Sequence, residues 1–519
     1  MPEHPSDPQS IQWRHDAPAS VVVFLVALPL CLGVALASGA PPFAGVLAGI
    51  IGGLVVAPLS GSALMVSGPA AGLTAIVLAA ITELKDYRAF LLAVVIGGGV
   101  QLVLAALRAG IIGYYFPSAV IKGMLSAIGL VLILKQLPHA VGYDADSMGD
   151  ETFRQANAEN TFSGLTHALD AIEPGAVLIA LVSLVVLFGW AATPLAKVRL
   201  FPAPLAVVVL GTGLNALFAS LAPSWVLAPS HLVGLPVPAA AAEWMQQFSF
   251  PAWGAITSAA VWRIGLTLGI VASLETLLSL EATDKMDPFK REAPPNRELF
   301  AQGIGNTLSG LIGGLPLTGV IVRSAANVSA GARTRWSAIL HGVLLLLAVV
   351  VIPRLLNLIP LAALAAILLH TGYKLAHPSI LRSMIRLGRS QWVPYVITIV
   401  AILLTDLLVG IAIGMSVGVF IILRDTLLNP PFTVVSPAGA VLLRWQLHDH
   451  VNFLNKAALL SELEALAPGS RVEIDGRLVR RFDADALEVL HQFSDTAQLR
   501  NIDYRLVAIP PRPLAAGAH

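Results

Sequence analysis

The chain of 519 residues contains one cysteine, Cys31. A single thiol excludes an intramolecular disulfide and a cysteine-built metal centre. It stands in an apolar run, where a small core residue is the plain reading. Charge is scarce as well. Asp, Glu, Lys and Arg make up 12% of the residues, against about a quarter in soluble proteins. Residues 17–81 hold none of the four. The 32 basic and 31 acidic side chains leave a net charge of +1, which provides no basic excess for nucleic acid. The 12 histidines do not cluster at ligand spacing, and HExxH, CxxC, P-loop and GxSxG patterns are missing. The sequence therefore predicts no metal, no cofactor and no enzymatic activity; an intramembrane hydrolase would need a nucleophile–base pair that the chain does not offer.

What is abundant is apolar length. Hydrophobic residues reach 56% and the mean hydropathy is +0.78. The first 16 residues are polar and Pro-rich and lack the basic-then-apolar order of a signal peptide, so the first apolar run is expected to remain as a span. At about 20 residues per crossing, fourteen runs emerge: 18–38, 43–60, 64–82, 89–107, 112–137, 175–193, 202–222, 255–280, 298–315, 320–332, 336–353, 358–373, 392–406 and 407–424. The third contains Ser67-Gly68-Pro69, and the tenth covers about half a membrane. Short or Gly/Pro-broken segments at matching places in two halves point to an inverted-repeat transporter.

Loop charges orient the chain. Arg14, Arg108, Lys197, Lys285, Arg333, Lys374 and Arg424 fall before the first run or after even-numbered runs. The long connections 139–173 and 223–254 hold a single basic residue, Arg154. Lys85, Arg88 and Arg354 depart from this pattern. Basic loops favour the cytoplasmic side. The prediction is a multi-pass protein of the cytoplasmic (inner) membrane, in contact with lipid, with both termini cytoplasmic.

Two ionisable residues lie inside these runs. Glu275 sits in SLETLLSLEATDKMD (273–287). Arg323 follows a segment broken at Gly313, Gly314 and Pro316. Charges within membrane-length runs are costly and usually functional. Glu281 and Asp284, near the end of their run, read as solvated ends, and Asp406 as a helix cap. After Pro430-Pro431 the composition becomes that of a soluble protein. Residues 441–447, 471–475 and 504–509 read as strands, and 455–466 and 484–499 as amphipathic helices, which implies a small α/β domain.

The passages LVALPLCLGVALASGAPP (25–42), SGPAAGLTAI (67–76), NRELFAQGIGNTLSGLIGGLP (296–316) and RSAANVSAGARTRWSAILHG (323–342) resemble the SulP (sulfate permease) family of anion transporters. Its animal relatives include the solute-carrier anion exchangers and prestin. The tail resembles the family's STAS domain, divergent in carrying Asp483-Ala484-Asp485 where many have Ser or Thr after an aspartate.

The resemblance implies an all-α polytopic fold of two inverted seven-span repeats, arranged as core and gate domains, plus the cytoplasmic α/β domain. The corresponding segments are 1–17 (cytoplasmic), 18–428 (transporter) and 433–510 (STAS-like). It implies a site for a small inorganic anion between the half-helices at Ser67, Gly68, Pro69 and Ala70 and at Thr318, Gly319, Val320, Ile321 and Val322, with Arg323 beside it. Arg323 either attracts the anion or pairs with Glu275. Glu275, with Ser279 nearby, is the ion-coupling group. Val320 and Ile321 stand where sodium-coupled members place hydroxyl ligands, which favours a proton over sodium. The expected function is secondary active transport of bicarbonate or sulfate, by proton coupling or exchange with elevator-like alternating access, in a homodimer. Sodium-coupled bicarbonate uptake, a nucleobase permease of the same fold and an anion channel are the alternatives.

The loop-charge argument predicts that cysteines introduced within residues 144–160 react with an impermeant maleimide added outside intact cells. Labelling only from the inside would refute the orientation.

Overall fold

The computed structural model describes residues 12–69, 71–146, 148, 153, 159–197, 201–235, 245–436 and 442–511. The chain divides into two units, 1–415 and 416–519. The division falls inside the helix Leu407–Leu428, ahead of the change in composition at Pro430.

The first unit is almost wholly helical. Helix α1 is Trp13–Ala37 and α2 is Pro42–Ile51, continued by a π-helical stretch, Gly52–Val56. Then come α3 (Thr74–Leu84), α4 (Tyr87–Ala106), α5 (Ser118–Val141), α6 (Thr161–Asp170), α7 (Pro174–Gly189) and α8 (Ala203–Leu221). The second half supplies α9 (Ala259–Met286), α10 (Pro295–Ile312), α11 (Ile321–Ser329), α12 (Trp336–Val351), α13 (Leu361–Leu375), α14 (Pro378–Arg386), α15 (Arg389–Leu404) and α16 (Leu407–Leu428). Local chemistry sets several starts. Proline occupies the first helical position of α2, α7 and α10, where its missing N–H costs nothing. Asp86 caps α4 by accepting from Arg88 N at 2.9 Å.

Among the described residues, eight helices of 18 to 28 residues are long and apolar enough to cross a membrane. The chain is an integral membrane protein. Small residues let the helices approach closely, as membrane packing requires. A Cβ at Gly98 of α4 would lie 2.5 Å from Thr307 N of α10, and one at Gly129 of α5 would lie 2.6 Å from Gly372 O of α13.

Helix α1 already begins at Trp13, inside the polar stretch that precedes the first apolar run. Its first turn is fastened by Asp16, whose buried carboxylate accepts from Arg333 N and Thr334 N at 3.0 Å each and from Thr334 Oγ1 at 2.6 Å. The fifth run becomes a long helix only from Ser118, after a 3-10 stretch at Ala109–Tyr115 and Pro117 at the N-cap. Lys135 of α5 is paired with Asp146 at 2.9 Å.

The second unit contains a sheet of β3 (Phe432–Val434), β4 (Leu442–Leu447), β5 (Arg471–Asp475) and β6 (Asp503–Val507), in that order. β3 runs antiparallel to β4, and the other neighbours are parallel. Helices α17 (Lys456–Glu464) and α18 (Ala484–Leu499) supply the crossovers. Asp483 caps α18 through Asp485 N at 3.0 Å. Val472, Ile474, Leu459 and Leu490 are fully buried, and Phe432 stacks on Trp445 at 4.0 Å. Burial pushes the Tyr504 phenol pKa up, and its hydroxyl donates to Leu490 O at 3.1 Å.

Leu490→Ala is expected to destabilise this unit by about 2–5 kcal/mol. Hydrogen exchange on the full chain checks it: amides of Arg471–Asp475 should lose protection while those of α10 keep theirs.

Candidate functional site

Both broken segments become very short strands. Ser67–Pro69 (β1) and Leu317–Gly319 (β2) pair antiparallel, with Ser67 opposite Gly319, Gly68 opposite Thr318 and Pro69 opposite Leu317. Gly313, at φ +102°, ends α10 in the left-handed region that favours glycine. Pro316 then keeps the chain from re-entering a helix before β2. After β1 a 3-10 turn, Ala71–Leu73, leads into α3; after β2, α11 starts at Ile321. Each helix thus begins within a few residues of the antiparallel pair. Helix N-termini carry unpaired N–H groups and about half a positive charge each.

Strand edges inside an apolar interior need partners, and α10 provides them. Glu298, Gln302, Asn306 and Ser309 follow one another at intervals of four, four and three residues, so they form a stripe along one face. Gln302 Nε2 donates to Ser67 Oγ at 2.7 Å and to Glu298 Oε1 at 3.0 Å, and Ser60 Oγ donates to Glu298 Oε2. Asn306 holds Leu317 twice: its Nδ2 donates to Leu317 O at 2.8 Å, and its Oδ1 accepts from Leu317 N at 2.7 Å. The same Nδ2 reaches Gln101 Oε1 at 2.7 Å. Ser309 Oγ donates to Leu315 O at 2.6 Å. From α11, Ser324 Oγ accepts from Val66 N at 3.0 Å, and Asn327 Nδ2 donates to Leu64 O at 2.9 Å. The sequence reading gave none of these residues a role. The signal was present as one acid and three neutral polar side chains at helical spacing within NRELFAQGIGNTLSG.

Helix α9 brings the predicted coupling residues to both strands. Glu275 is 5% exposed, and a Cβ on Gly72 would lie 3.0 Å from its Oε1. One turn on, Ser279 packs its Cβ 3.3 Å from the position a Cβ on Gly319 would take. Arg323 of α11 is 1% exposed and lies against Gly68, where a Cβ would fall 2.0 Å from its Nη1. Only glycine leaves room for that guanidinium. Nη2 reaches Cys31 Sγ at 3.3 Å, so the lone cysteine borders the site. Among the described residues, Arg323 Nε and Nη1 have no hydrogen-bond partner. Ser67, Pro69, Thr318, Ile321 and Val322 are buried and Val320 is half-buried. Ala70 lies outside the described residues.

A cavity of about 630 Å³ opens between α1 and α11 on one side and α7, α8 and α13 on the other. Arg14, His15, His370 and Lys374 line it, with Phe188 and Trp190; no described acidic residue does. Its wall includes Ala326, about 8 Å along α11 from the helix start at 1.5 Å per residue.

The sequence pattern of the sulfate permease family matches residues 13–401. The chain belongs to this family. It is 26% identical over 418 residues to YvdB of Bacillus subtilis, assigned as a sulfate transporter, covering 80% of this chain and 74% of that protein. It is 25% identical over 417 residues to the bicarbonate transporter BicA of Picosynechococcus, covering 79% of this chain and 69% of BicA. Among solved structures, the transmembrane domain of a cyanobacterial BicA aligns with a TM-score of 0.56 at 24% identity, over 77% of this chain and 98% of that one. Murine Slc26a9, an anion transporter in its inward-facing state, aligns with a TM-score of 0.64 at 15% identity, over 97% and 87%. These structures share the fold of this membrane anion transporter.

Asn306→Ala leaves both polar groups of Leu317 without their clamp. Each unpaired buried group costs about 1–3 kcal/mol. The variant should show a thermal midpoint several degrees lower in detergent and a clear loss of anion uptake, whereas Thr307→Ala, a neighbour on α10 outside the stripe, should change neither by as much.

Proposed function

We propose that the protein carries a small inorganic oxyanion, bicarbonate or sulfate, across the cytoplasmic membrane as a proton-coupled secondary transporter. The observation that carries this reading is Arg323: a fully buried guanidinium with two nitrogens lacking a partner among the described residues, at the junction where two helix N-termini begin. A buried cation needs a counter-charge. Backbone N–H groups of Ala71 and Gly72 and of Ile321 and Val322, at the two helix starts, would supply the remaining donors.

Glu275 has the place of a coupling acid. Its carboxyl group borders Gly72 at the start of one half-helix, and Ser279 borders Gly319 at the other. In this reading the carboxyl group takes up the coupled proton in one half of the cycle and releases it in the other. Val320 and Ile321 bring no side-chain oxygen to a cation, which supports a proton over sodium. The basic cavity reaching toward α11 is the route to the site, and Arg14 and Lys374 would concentrate anions there.

The broader arrangement belongs to the same proposal. It comprises fourteen spans in two inverted repeats, core and gate domains moving as an elevator, cytoplasmic termini, a STAS-like role for the α/β unit, and a homodimer.

Proteoliposomes holding the full chain would be tested for uptake of labelled bicarbonate, sulfate and chloride, with and without pH and sodium gradients. Glu275→Gln, which mimics the protonated state, should lose uptake driven by a pH gradient and keep anion exchange. If it abolishes anion binding, the acid is structural or binds sodium. Arg323→Ala should weaken anion binding by about 1–3 kcal/mol, the scale of a charge-assisted contact. Tighter binding would mean that the arginine only neutralises Glu275.

A further inference from the structure

Helix α12 contributes one residue that the transport reading leaves unused. His341 is fully buried, and neither ring nitrogen has a hydrogen-bond partner among the described residues. It lies within electrostatic reach of the Arg323 guanidinium. One turn further, Leu345 Cδ1 would lie 3.1 Å from a Cβ on Gly49, and Arg323 Nη1 would lie 3.6 Å from the same point. The face of α12 that bears His341 and Leu345 thus meets the surface of α2 on which the guanidinium rests.

The four orphaned nitrogens form an inventory. Arg323 Nε and Nη1 are donors only. A neutral imidazole has one N–H donor and one bare nitrogen that accepts. A ligand that satisfies the set must be negative, must offer several acceptor oxygens, and must donate one hydrogen bond of its own. Hydrogencarbonate meets all three conditions through its O–H group. Sulfate and nitrate have the oxygens but no proton, and would leave the imidazole acceptor bare. A site built to pair with a ligand hydroxyl discriminates strongly against an analogue without one, because its own buried group is then left unpaired.

Resting on the anion site proposed above, we propose that His341 is a specificity-determining residue. Together with Arg323 it selects an oxyanion that carries its own hydroxyl group over one that is fully deprotonated.

Nitrate isolates the claim. It is planar and singly charged, like hydrogencarbonate, and lacks only the hydroxyl. Binding of each anion to the purified full chain would be measured by calorimetry at pH 8, with sulfate as a third ligand. Hydrogencarbonate should bind about tenfold or more tightly than nitrate, the scale of one buried group left unpaired. His341→Met, which offers neither a donor nor a bare nitrogen, should bring the two within about threefold by weakening hydrogencarbonate alone. His341→Gln, which retains a donor and an acceptor, should keep part of the preference. Equal binding of nitrate and hydrogencarbonate by the unmodified protein overturns the proposal without need of a variant that folds. So does an equal loss of all three anions in His341→Met, which would make the histidine a support for Arg323. An unchanged preference in His341→Met also overturns it, leaving an imidazole paired to water. Absence of anion binding altogether would instead sink the underlying site, and this inference with it.

Discussion

The structure depends on one constraint: two membrane segments are broken side by side, and the backbone groups freed by the breaks need hydrogen bonds without water. The pairing of Ser67–Pro69 with Leu317–Gly319 meets part of this need. A three-residue ladder satisfies few groups, so the rest falls to side chains. Gln302, Asn306 and Ser309 from α10, with Ser324 and Asn327 from α11, take up what the ladder leaves. Non-helical backbone is tolerated at membrane depth only where protein or a water-lined cavity surrounds it. The polar stripe is therefore a condition for having two helix N-termini in the interior at all.

Small residues carry the second half of the design. Gly68 admits the Arg323 guanidinium, and Gly72 admits the Glu275 carboxyl group. The π-helical stretch of α2 packs equally tightly: a Cβ on Gly52 would lie 2.2 Å from Ser67 O. These contacts make the charges part of the strand pair itself rather than appendages to it. They also explain why the lone cysteine, read from sequence as a core residue, stands 3.3 Å from Arg323 Nη2. A small side chain is needed there, and sulfur can accept a weak hydrogen bond.

Much of this was legible in the sequence, for identifiable reasons. Gly313, Gly314 and Pro316 mark the break, since neither residue type sustains a helix. Glu275 and Arg323 stand out because charge is so scarce around them. The small α/β unit followed from the strand and helix patterns beyond Pro431. Less legible were the strands, because three residues are too few for periodicity to register. Gln302 and Asn306 hardly disturb hydropathy, so only their spacing betrays them. His341 sits singly on an apolar helix, where a core histidine is the plain reading. Its orphaned nitrogens are visible only in three dimensions. The bonds that Asp16 accepts from residues 333 and 334 were not legible either, because the partners come from far along the chain.

The proposed coupling has an electrostatic sign that can be worked out from the same residues. Arg323 contributes one positive charge, and two helix N-termini contribute about half each. An ionised Glu275 subtracts one, so the pocket carries about +1. Protonation of Glu275 would raise it to about +2 at the place proposed for the anion. A proton and an anion would then favour each other's binding, and linkage makes that preference reciprocal. The pocket with both bound is about +1 for a monovalent anion, which matches the ionised empty state. The two states that must move between the membrane faces would thus carry similar charge, whereas a site with anion but no proton would not. A single buried carboxyl group bordering Gly72 is enough to set that bookkeeping. It can do so only because the glycines bring it, the arginine and both helix ends to one place.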